Sequence, residues 1–101
     1  MKLITVTIAR IYITETSQLF SKITDYLKET VNIRGISVFR AITGFGDHGM
    51  MHNAKLVDLS LNLPLVIEFF DSKEKVMSAL DYINGLLTPE HIICWEAQTN
   101  E

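Results

Sequence analysis

Residues 35–70, GISVFRAITGFGDHGMMHNAKLVDLSLNLPLVIEFF, contain the pattern that decides the fold. Two segments, 35–43 and 63–70, are rich in β-branched and aromatic residues, which is typical of strands. The connection between them, about 44–62, begins with three glycines in six positions and is much longer than a hairpin turn. Loops of that length often carry function, so the stretch predicts two strands joined by a functional loop.

The chain before this stretch predicts a strand and a helix. Residues 3–14, LITVTIARIYIT, alternate apolar and polar residues, and the apolar parity switches midway. Such a switch indicates either a β-bulge or a strand that is buried on both faces at different points. Apolar residues then recur at helical spacing, with Thr16 or Ser17 as the cap, and Asn32 and Gly35 are expected to end the helix.

The chain after the stretch predicts a second helix and a last strand. Asp71 is expected to cap the helix, with Glu74 as the return half of a capping box. Gly85 and Pro89 end it, residues 91–97 form the strand, and the last residues form a frayed tail. The order β-α-β-β-α-β predicts an α+β, ferredoxin-like fold, in which two helices cover one face of a four-stranded antiparallel sheet.

The length and the strand pattern also predict the assembly. A chain of 101 residues is expected to form one domain, 1–101, with its long loop at about 44–62. The strand at 63–70 is apolar on both faces, whereas a sheet with one wet face alternates cleanly. An uncovered apolar face rarely stays bare, so we expect a homo-oligomer, with a loop folded back over the face as the alternative.

Composition narrows the function classes. A net charge of −3 argues against nucleic acid as the main partner, since phosphate binding needs a basic patch. The N-terminal segment lacks the apolar run of a signal peptide, and no apolar stretch spans a membrane, so a cytoplasmic protein without membrane insertion is expected. The single cysteine, Cys94, is interpreted as a buried small hydrophobe, and nothing favours nucleophilic catalysis, so an enzyme is not expected.

Three ionisable residues lie among apolar neighbours in predicted strands. In a ferredoxin-like sheet the third strand lies between the first and the second, so Glu68 is expected to lie between Arg10 and Arg40. A charge network that fixes register or docking is the simpler interpretation, because strand arginines usually pair with a carboxylate in reach. A cationic site for an anionic ligand is the alternative.

The loop offers weak metal candidates. His48 and His52 are four residues apart, with Asp47 alongside, and on a helix this spacing places two imidazoles on one face. The neighbouring glycines favour a loop, where that spacing implies nothing. We therefore expect no metal, with His48 and His52 as the weak candidates.

The glycines of the loop predict a backbone site. Gly44 and Gly46, with Gly49, are able to form a nest of N–H groups for phosphate, although the signal lacks the features of a P-loop or a dinucleotide turn. A flexible tight turn is the alternative interpretation. Phe45, between two glycines, suits an anchor into a pocket or a partner.

The sequence resembles a known family over nearly its whole length. The most specific pieces are RAITGFG over 40–46, His52 six residues beyond Gly46, and LPLVIE over 63–68, together with ARIYITE over 9–15. In these pieces the chain resembles the bacterial and archaeal PII-like family called "domain of unknown function 190", and more distantly the PII nitrogen-regulatory signalling proteins.

This resemblance implies a ferredoxin-like subunit, a homotrimer, and ligand clefts between subunits at the base of the loop. In PII proteins such clefts bind adenine nucleotides, and the ligand sets the conformation of a loop that docks onto partner proteins. The chain departs from PII proteins after the second helix, where NGLLTPE over 84–90 has one glycine and no basic residue. The phosphates of a nucleotide would then have to contact Gly44, Gly46, Arg40, Lys55 or Arg10.

The sequence thus predicts a PII-like regulatory or ligand-sensing protein that binds a small anionic ligand, with an adenine nucleotide as one candidate, and signals through the 44–62 loop. The ligand-binding candidates are Arg40, Gly44, Phe45, Gly46, His52 and Lys55. The loop is expected to dock a protein partner, with a membrane transporter or channel as one candidate. The alternatives are a metal-ion binding or tolerance protein that uses the loop histidines, and an oligomeric interaction module without a small ligand.

Overall fold

In the computed structural model, residues 1–14, 17–45, 51–53 and 63–101 are described; of 44, 45 and 51–53 only the backbone is considered. The elements are β1 (Leu3–Thr14), α1 (Leu19–Asp25), which continues as a π-helix (Tyr26–Val31), β2 (Gly35–Arg40), β3 (Thr43–Phe45), β4 (Met51–Asn53), β5 (Pro64–Asp71), α2 (Lys73–Asn84) and β6 (Ile92–Asn100).

The main sheet is antiparallel, with strand order β2-β5-β1-β6. Both helices cover one of its faces and bury the core against the central strands β1 and β5. The fully buried side chains there include Ile11, Ile23, Leu27, Ile67, Phe69, Val76 and Ile83. This is the four-stranded α+β arrangement that the sequence predicts.

The parity switch in β1 is a change of buried face. The register of β1 runs without interruption along β5 and along β6, so the pairings leave no bulge in this strand. Val6 on one face and Ala9 on the other are both buried. Of the two interpretations of the switch, the strand buried on both faces is the one observed.

The helix ends follow the sequence signals with two shifts. The N-cap position of α1 is Gln18, one residue after the predicted Ser17, although Ser17 Oγ still accepts from Leu19 N–H at 3.1 Å. Asn32 ends the first helix in the left-handed conformation, with φ of 56°, and Ile33 N–H donates to Leu27 O. The cap of α2 is Ser72, whose Oγ accepts from Lys75 N–H at 3.4 Å, so the prediction of Asp71 as the cap was wrong by one residue.

Three other expectations are corrected. The second strand ends at Arg40, and Thr43–Phe45 belongs to a separate two-stranded sheet. The last strand runs to Asn100, so the predicted fraying is absent, and Glu101 N–H still donates to Lys2 O at 2.8 Å. Cys94 is exposed because β6 is an edge strand, so its interpretation as a buried residue was wrong.

Asp71 joins three elements at the other end of the sheet. Its carboxylate accepts from Ser72 N–H at 2.7 Å and from Arg34 N–H at 2.9 Å, and it lies 3.4 Å from the Arg34 guanidinium and 3.6 Å from Lys75 Nζ. Burial alone would raise the pKa of this carboxyl. The two backbone hydrogen bonds and the charges of Lys75 and Arg34 prevail, and hold the pKa below its usual value.

None of the helices among the described residues is long and apolar enough to cross a membrane.

Candidate functional site: the loop end of the sheet

The loop leaves the sheet at the end where β1 and β2 finish and where β5 and β6 begin. The register places Thr14 opposite Pro64 and Arg40 opposite Leu65, and Tyr12 N–H donates to His91 O. We call this the loop end of the sheet. Arg40 lies on one edge strand there and His91 precedes the other, so three interstrand spacings, about 14 Å, separate them.

The base of the loop is a short β-ladder. Thr43–Phe45 pairs antiparallel with Met51–Asn53, and the direct backbone partners are Gly44 with His52 and Phe45 with Met51. Two predicted ligand residues that are eight positions apart, Gly44 and His52, are therefore neighbours across this ladder. Gly46, Lys55, Asp47 and His48 lie outside the described residues, and so do most positions of the 44–62 loop.

Among the described residues, the predicted charge network brings Arg10 and Glu68 together, and it does not include Arg40 beside them. Arg10 and Glu68 are direct cross-strand partners, and Arg10 Nε donates to Glu68 Oε1 at 2.7 Å. The hydrogen bond to Glu68 is the main cause that raises the pKa of the Arg10 guanidinium above its usual value. On β2 the partner of Glu68 is Ser37, whereas Arg40 lies opposite Leu65, on the helix-covered face. The register therefore does not place Arg40 beside Glu68.

The Arg10–Glu68 pair lies on the face of the sheet that the helices leave open. The guanidinium of Arg10 lies 5.5 Å from the ring centroid of Trp95, a cation–π contact from β6. Val66 and Phe70 share this face with the pair and are half-buried. Sequence reasoning missed Trp95, because its place beside Arg10 follows only from the register of β6 on β1.

The turn before β6 holds a histidine ring by its Nδ1 atom. His91 Nδ1 lies 3.1 Å from Thr88 O and 3.0 Å from Pro89 O, and Thr88 Oγ1 is also 3.1 Å away. Carbonyl oxygens only accept, so Nδ1 carries a hydrogen and donates it. Glu90 adopts a φ of 68° in this turn, which few non-glycine residues do. From the sequence it was noted only that residues 84–90, before this strand, contain no basic residue, and the contacts of His91 were not predicted.

The described residues do not form a metal centre. No group of three or more His, Cys, Asp or Glu side chains comes together in the part of the chain that the structure describes. The weak metal candidate His48 is not among these residues, and of His52 only the backbone is described.

The fold and the loop end together define a PII-like α+β protein. The chain belongs to the DUF190 family, "Uncharacterized ACR, COG1993", whose model matches residues 1–99. This confirms the family that the sequence resembles. A "UPF0166 protein" of Aquifex aeolicus (strain VF5) is 39% identical over 74 residues, which are 66% of this chain and 70% of that protein.

Solved structures agree with this fold. CPII from Thiomonas intermedia K12, described as a nitrogen regulatory PII-like protein bound to ADP, AMP and bicarbonate, matches with a TM-score of 0.77 and 19% identity. The match covers 99% of this chain and 92% of CPII. The divalent ion tolerance protein CutA1 from Ehrlichia chaffeensis matches with a TM-score of 0.60 and 16% identity over 95% of this chain and 82% of CutA1.

Proposed function

We propose that this protein is a PII-like ligand-sensing regulator and not an enzyme. Its ligand is a small anion, with an adenine nucleotide as the first candidate, bound in clefts between copies of the chain at the loop end. The observation that carries the proposal is the full-length likeness to CPII, which is described with ADP, AMP and bicarbonate. The 44–62 loop would report ligand state to a protein partner.

The loop end has the chemistry that an anion requires. Arg40 supplies a guanidinium at the end of β2, and the ladder of β3 with β4 follows three residues later with the backbone of Gly44. Guanidinium groups and successive backbone N–H groups are the usual partners of phosphate and carboxylate oxygens. Arg10 lies in the middle of β1 on the open face, whereas Arg40 ends its strand close to the loop base, so Arg40 is the stronger candidate for the anion.

A thermal-shift screen tests the ligand. Adenine and guanine mono-, di-, tri- and cyclic nucleotides are added with and without magnesium, and with and without bicarbonate. A ligand that binds only the folded state, at about 100 times its dissociation constant, adds about 2.7 kcal/mol and raises the Tm by several degrees. Arg40→Ala should abolish the shift. Lys28→Ala, which removes a cation from the π-helix, should keep it.

Absence of a shift with every nucleotide would refute the nucleotide as ligand. A shift that survives Arg40→Ala would place the site elsewhere. Light scattering tests the assembly, for which we expect a mass near three times 11.5 kDa. Limited proteolysis with and without the ligand tests the loop, because a conformational output requires that cleavage within 44–62 changes with ligand state.

The second candidate function is binding or tolerance of a divalent metal ion. The likeness to CutA1, a divalent ion tolerance protein, favours it. It requires a rise of Tm with zinc or copper that is reversed by a chelator and lost in His52→Ala, because imidazole nitrogen is a preferred ligand of both metals. An unchanged melt with added metal and with chelator would exclude it. An unchanged melt with every ligand would leave the oligomeric interaction module.

A further inference from the structure

The π-helix and α2 leave an open cleft between them on the helical side of the molecule. The cleft has a volume of about 500 Å³ and is lined by residues of both helices. Ligand pockets in proteins usually measure about 300–1,000 Å³. Ser72 lines the cleft and directly follows β5, whose first residue, Pro64, is at the loop end about 24 Å away. We call this space the interhelical cleft.

The π-helix turns three side chains toward α2. A π-helix has i→i+5 hydrogen bonds, so residues four and five positions after Tyr26 both lie one turn away from it. These residues are Thr30 and Val31, and all three line the cleft. π-Helices are rare and occur frequently at functional sites. The unusual helix and the cleft therefore coincide.

Contacts between the two helices at both ends fix the width of the cleft. At one end the rings of Tyr26 and Tyr82 pack with their centroids 4.2 Å apart. At the other end Lys75 Nζ donates at 3.0 Å to the carbonyl oxygen of Asn32, the residue after the π-helix. Between these contacts α2 presents the short side chain of Ser78, which leaves the space unfilled. The cleft is therefore formed before any ligand binds.

The cleft combines an apolar wall with two opposite charges. Val31, Ala79 and the ring of Tyr26 supply the apolar wall. Lys75 and Glu74 supply an ammonium and a carboxylate group. These two residues are consecutive on α2, and consecutive residues of a helix do not face each other. One ligand is therefore able to contact both charges from within the cleft.

Both charged groups retain capacity for a ligand. Asn32 O accepts from only one of the three N–H groups of Lys75, whose side chain is 40% exposed. Ser72 Oγ accepts from Lys75 N–H, which leaves the hydroxyl hydrogen to donate to an anionic oxygen. Glu74 has no ion-pair partner among the described residues. The cleft thus offers donors to a carboxylate and an acceptor to an ammonium group.

We propose that the interhelical cleft binds a small zwitterion with an apolar body, the chemical class of a free aliphatic α-amino acid. The carboxylate of the ligand contacts Lys75 Nζ and the Ser72 hydroxyl, its ammonium group contacts Glu74, and its side chain packs against Tyr26 and Val31. A simple anion fits less well because Glu74 would repel it, and a simple cation because Lys75 would repel it. This site lies apart from the loop end and does not depend on the proposed function.

Titration of the full-length protein with leucine and with valine, followed by NMR of the backbone amides, tests the proposal. Each amino acid should shift the amide resonances of cleft residues such as Thr30 and Ser78 along a saturable curve. A concentration of about 10 mM nearly saturates a site with a dissociation constant of ~1 mM. Leucinamide, which lacks the carboxylate, and N-acetylleucine, which lacks the ammonium group, should cause no such shifts at that concentration.

Variants of α2 locate the site. Ser78→Trp fills the cleft from an exposed position and should abolish the response to leucine. The matched variant Met77→Trp replaces an exposed neighbour that does not line the cleft, so it should respond as the wild type does. Glu74→Gln keeps the shape and removes the charge, and should raise the dissociation constant about tenfold, the usual effect of losing a charged hydrogen-bond partner. Arg40→Ala, at the loop end, should leave the response unchanged.

Several results would overturn the proposal. Absence of shifts with both amino acids at about 10 mM would exclude an aliphatic amino acid as ligand. Equal shifts with leucinamide or N-acetylleucine would show that the charges are not recognised. A response that survives Ser78→Trp, that keeps its affinity in Glu74→Gln, or that is lost in Arg40→Ala would place the ligand elsewhere. If Ser78→Trp does not fold, Glu74→Gln decides the location. A failed nucleotide screen does not bear on these outcomes, because the titration contains no nucleotide.

Discussion

Replacement of Asp71 by asparagine should destabilise the protein more than any conservative change on its surface. The carboxylate is buried at the junction of β5, α2 and the turn before β2. It accepts hydrogen bonds from Ser72 N–H at 2.7 Å and Arg34 N–H at 2.9 Å, and its ion-pair partners Arg34 and Lys75 lie within 3.6 Å. Asparagine is nearly isosteric with aspartate, so the change isolates charge and acceptor capacity.

The contacts set the size of the effect. An asparagine keeps one accepting oxygen and loses the other, and a hydrogen bond to a charged group contributes about 1.5–3 kcal/mol. Arg34 and Lys75 are about two-fifths exposed, so each ion pair adds only about 0.2–1 kcal/mol. The sum predicts a loss of about 3 kcal/mol, a large part of the ~5–15 kcal/mol stability of a typical domain.

The effect should depend on pH with a definite sign. The pKa of Asp71 is lower in the folded protein than in the unfolded chain, whose usual value is 3.8. The unfolded chain therefore binds the proton more readily, and stability falls as the pH falls. The contribution of the charge is complete above about pH 5 and declines below about pH 4, as the pH approaches the lowered folded-state pKa.

Chemical denaturation at one fixed protomer concentration measures this prediction, since assembly makes stability depend on concentration. The free energy of unfolding of the wild type and Asp71→Asn is compared at about pH 7 and about pH 3, above and below the usual pKa of 3.8 that the carboxyl has in the unfolded chain. The difference in unfolding free energy between the wild type and Asp71→Asn should be smaller at the lower pH. The exposed Asp81→Asn control should remain within about 0.5 kcal/mol of the wild type at both pH values. A gap below about 0.5 kcal/mol at neutral pH, or one that does not narrow, would refute the reasoning.

Three further substitutions test other contacts by denaturation. Ser72→Ala removes the N-cap of α2 and should cost about 1 kcal/mol. In Gly35→Ala a Cβ would stand 2.5 Å from the Phe70 ring, so overpacking of about 1–3 kcal/mol should exceed the ~0.4–1 kcal/mol gained from a stiffer unfolded chain. Arg10→Ala and Glu68→Ala should be non-additive, with only a small coupling because the pair is partly exposed.

Matched variants control these three. Ser78→Ala, in the interior of α2, should be neutral or slightly stabilising because alanine is the better helix former there. A Phe70→Leu background should reduce the cost of Gly35→Ala; an equal cost would show that the ring is not the obstacle. Strict additivity of the Arg10 and Glu68 changes would show that their 2.7 Å contact contributes nothing to stability.

The sequence predicted the main elements because each rests on a local pattern. Alternation identified β1, and richness in β-branched and aromatic residues identified β5. Helical spacing identified both helices, and Asn32 marked the end of the first helix. The errors arose where tertiary contacts overrode local signals. Asp71 is a residue type that often caps helices, and it lies just before α2. It is instead the last residue of β5, where it pairs opposite Thr7 of β1, so Ser72 is the N-cap. The tail is polar and has no local strand signal, but pairing with β1 extends β6 to Asn100.

The candidate site was predictable only in part, because it depends on register. Spacing along the chain could not show that Gly44 and His52 are opposite each other. Strand order suggested that Glu68 lies between two arginines. In the observed register its direct cross-strand partners are Arg10 of β1 and Ser37 of β2. The order of strands follows from topology, whereas the residues that lie opposite each other follow from the register of each strand pair. A shift of one residue moves a side chain to the other face.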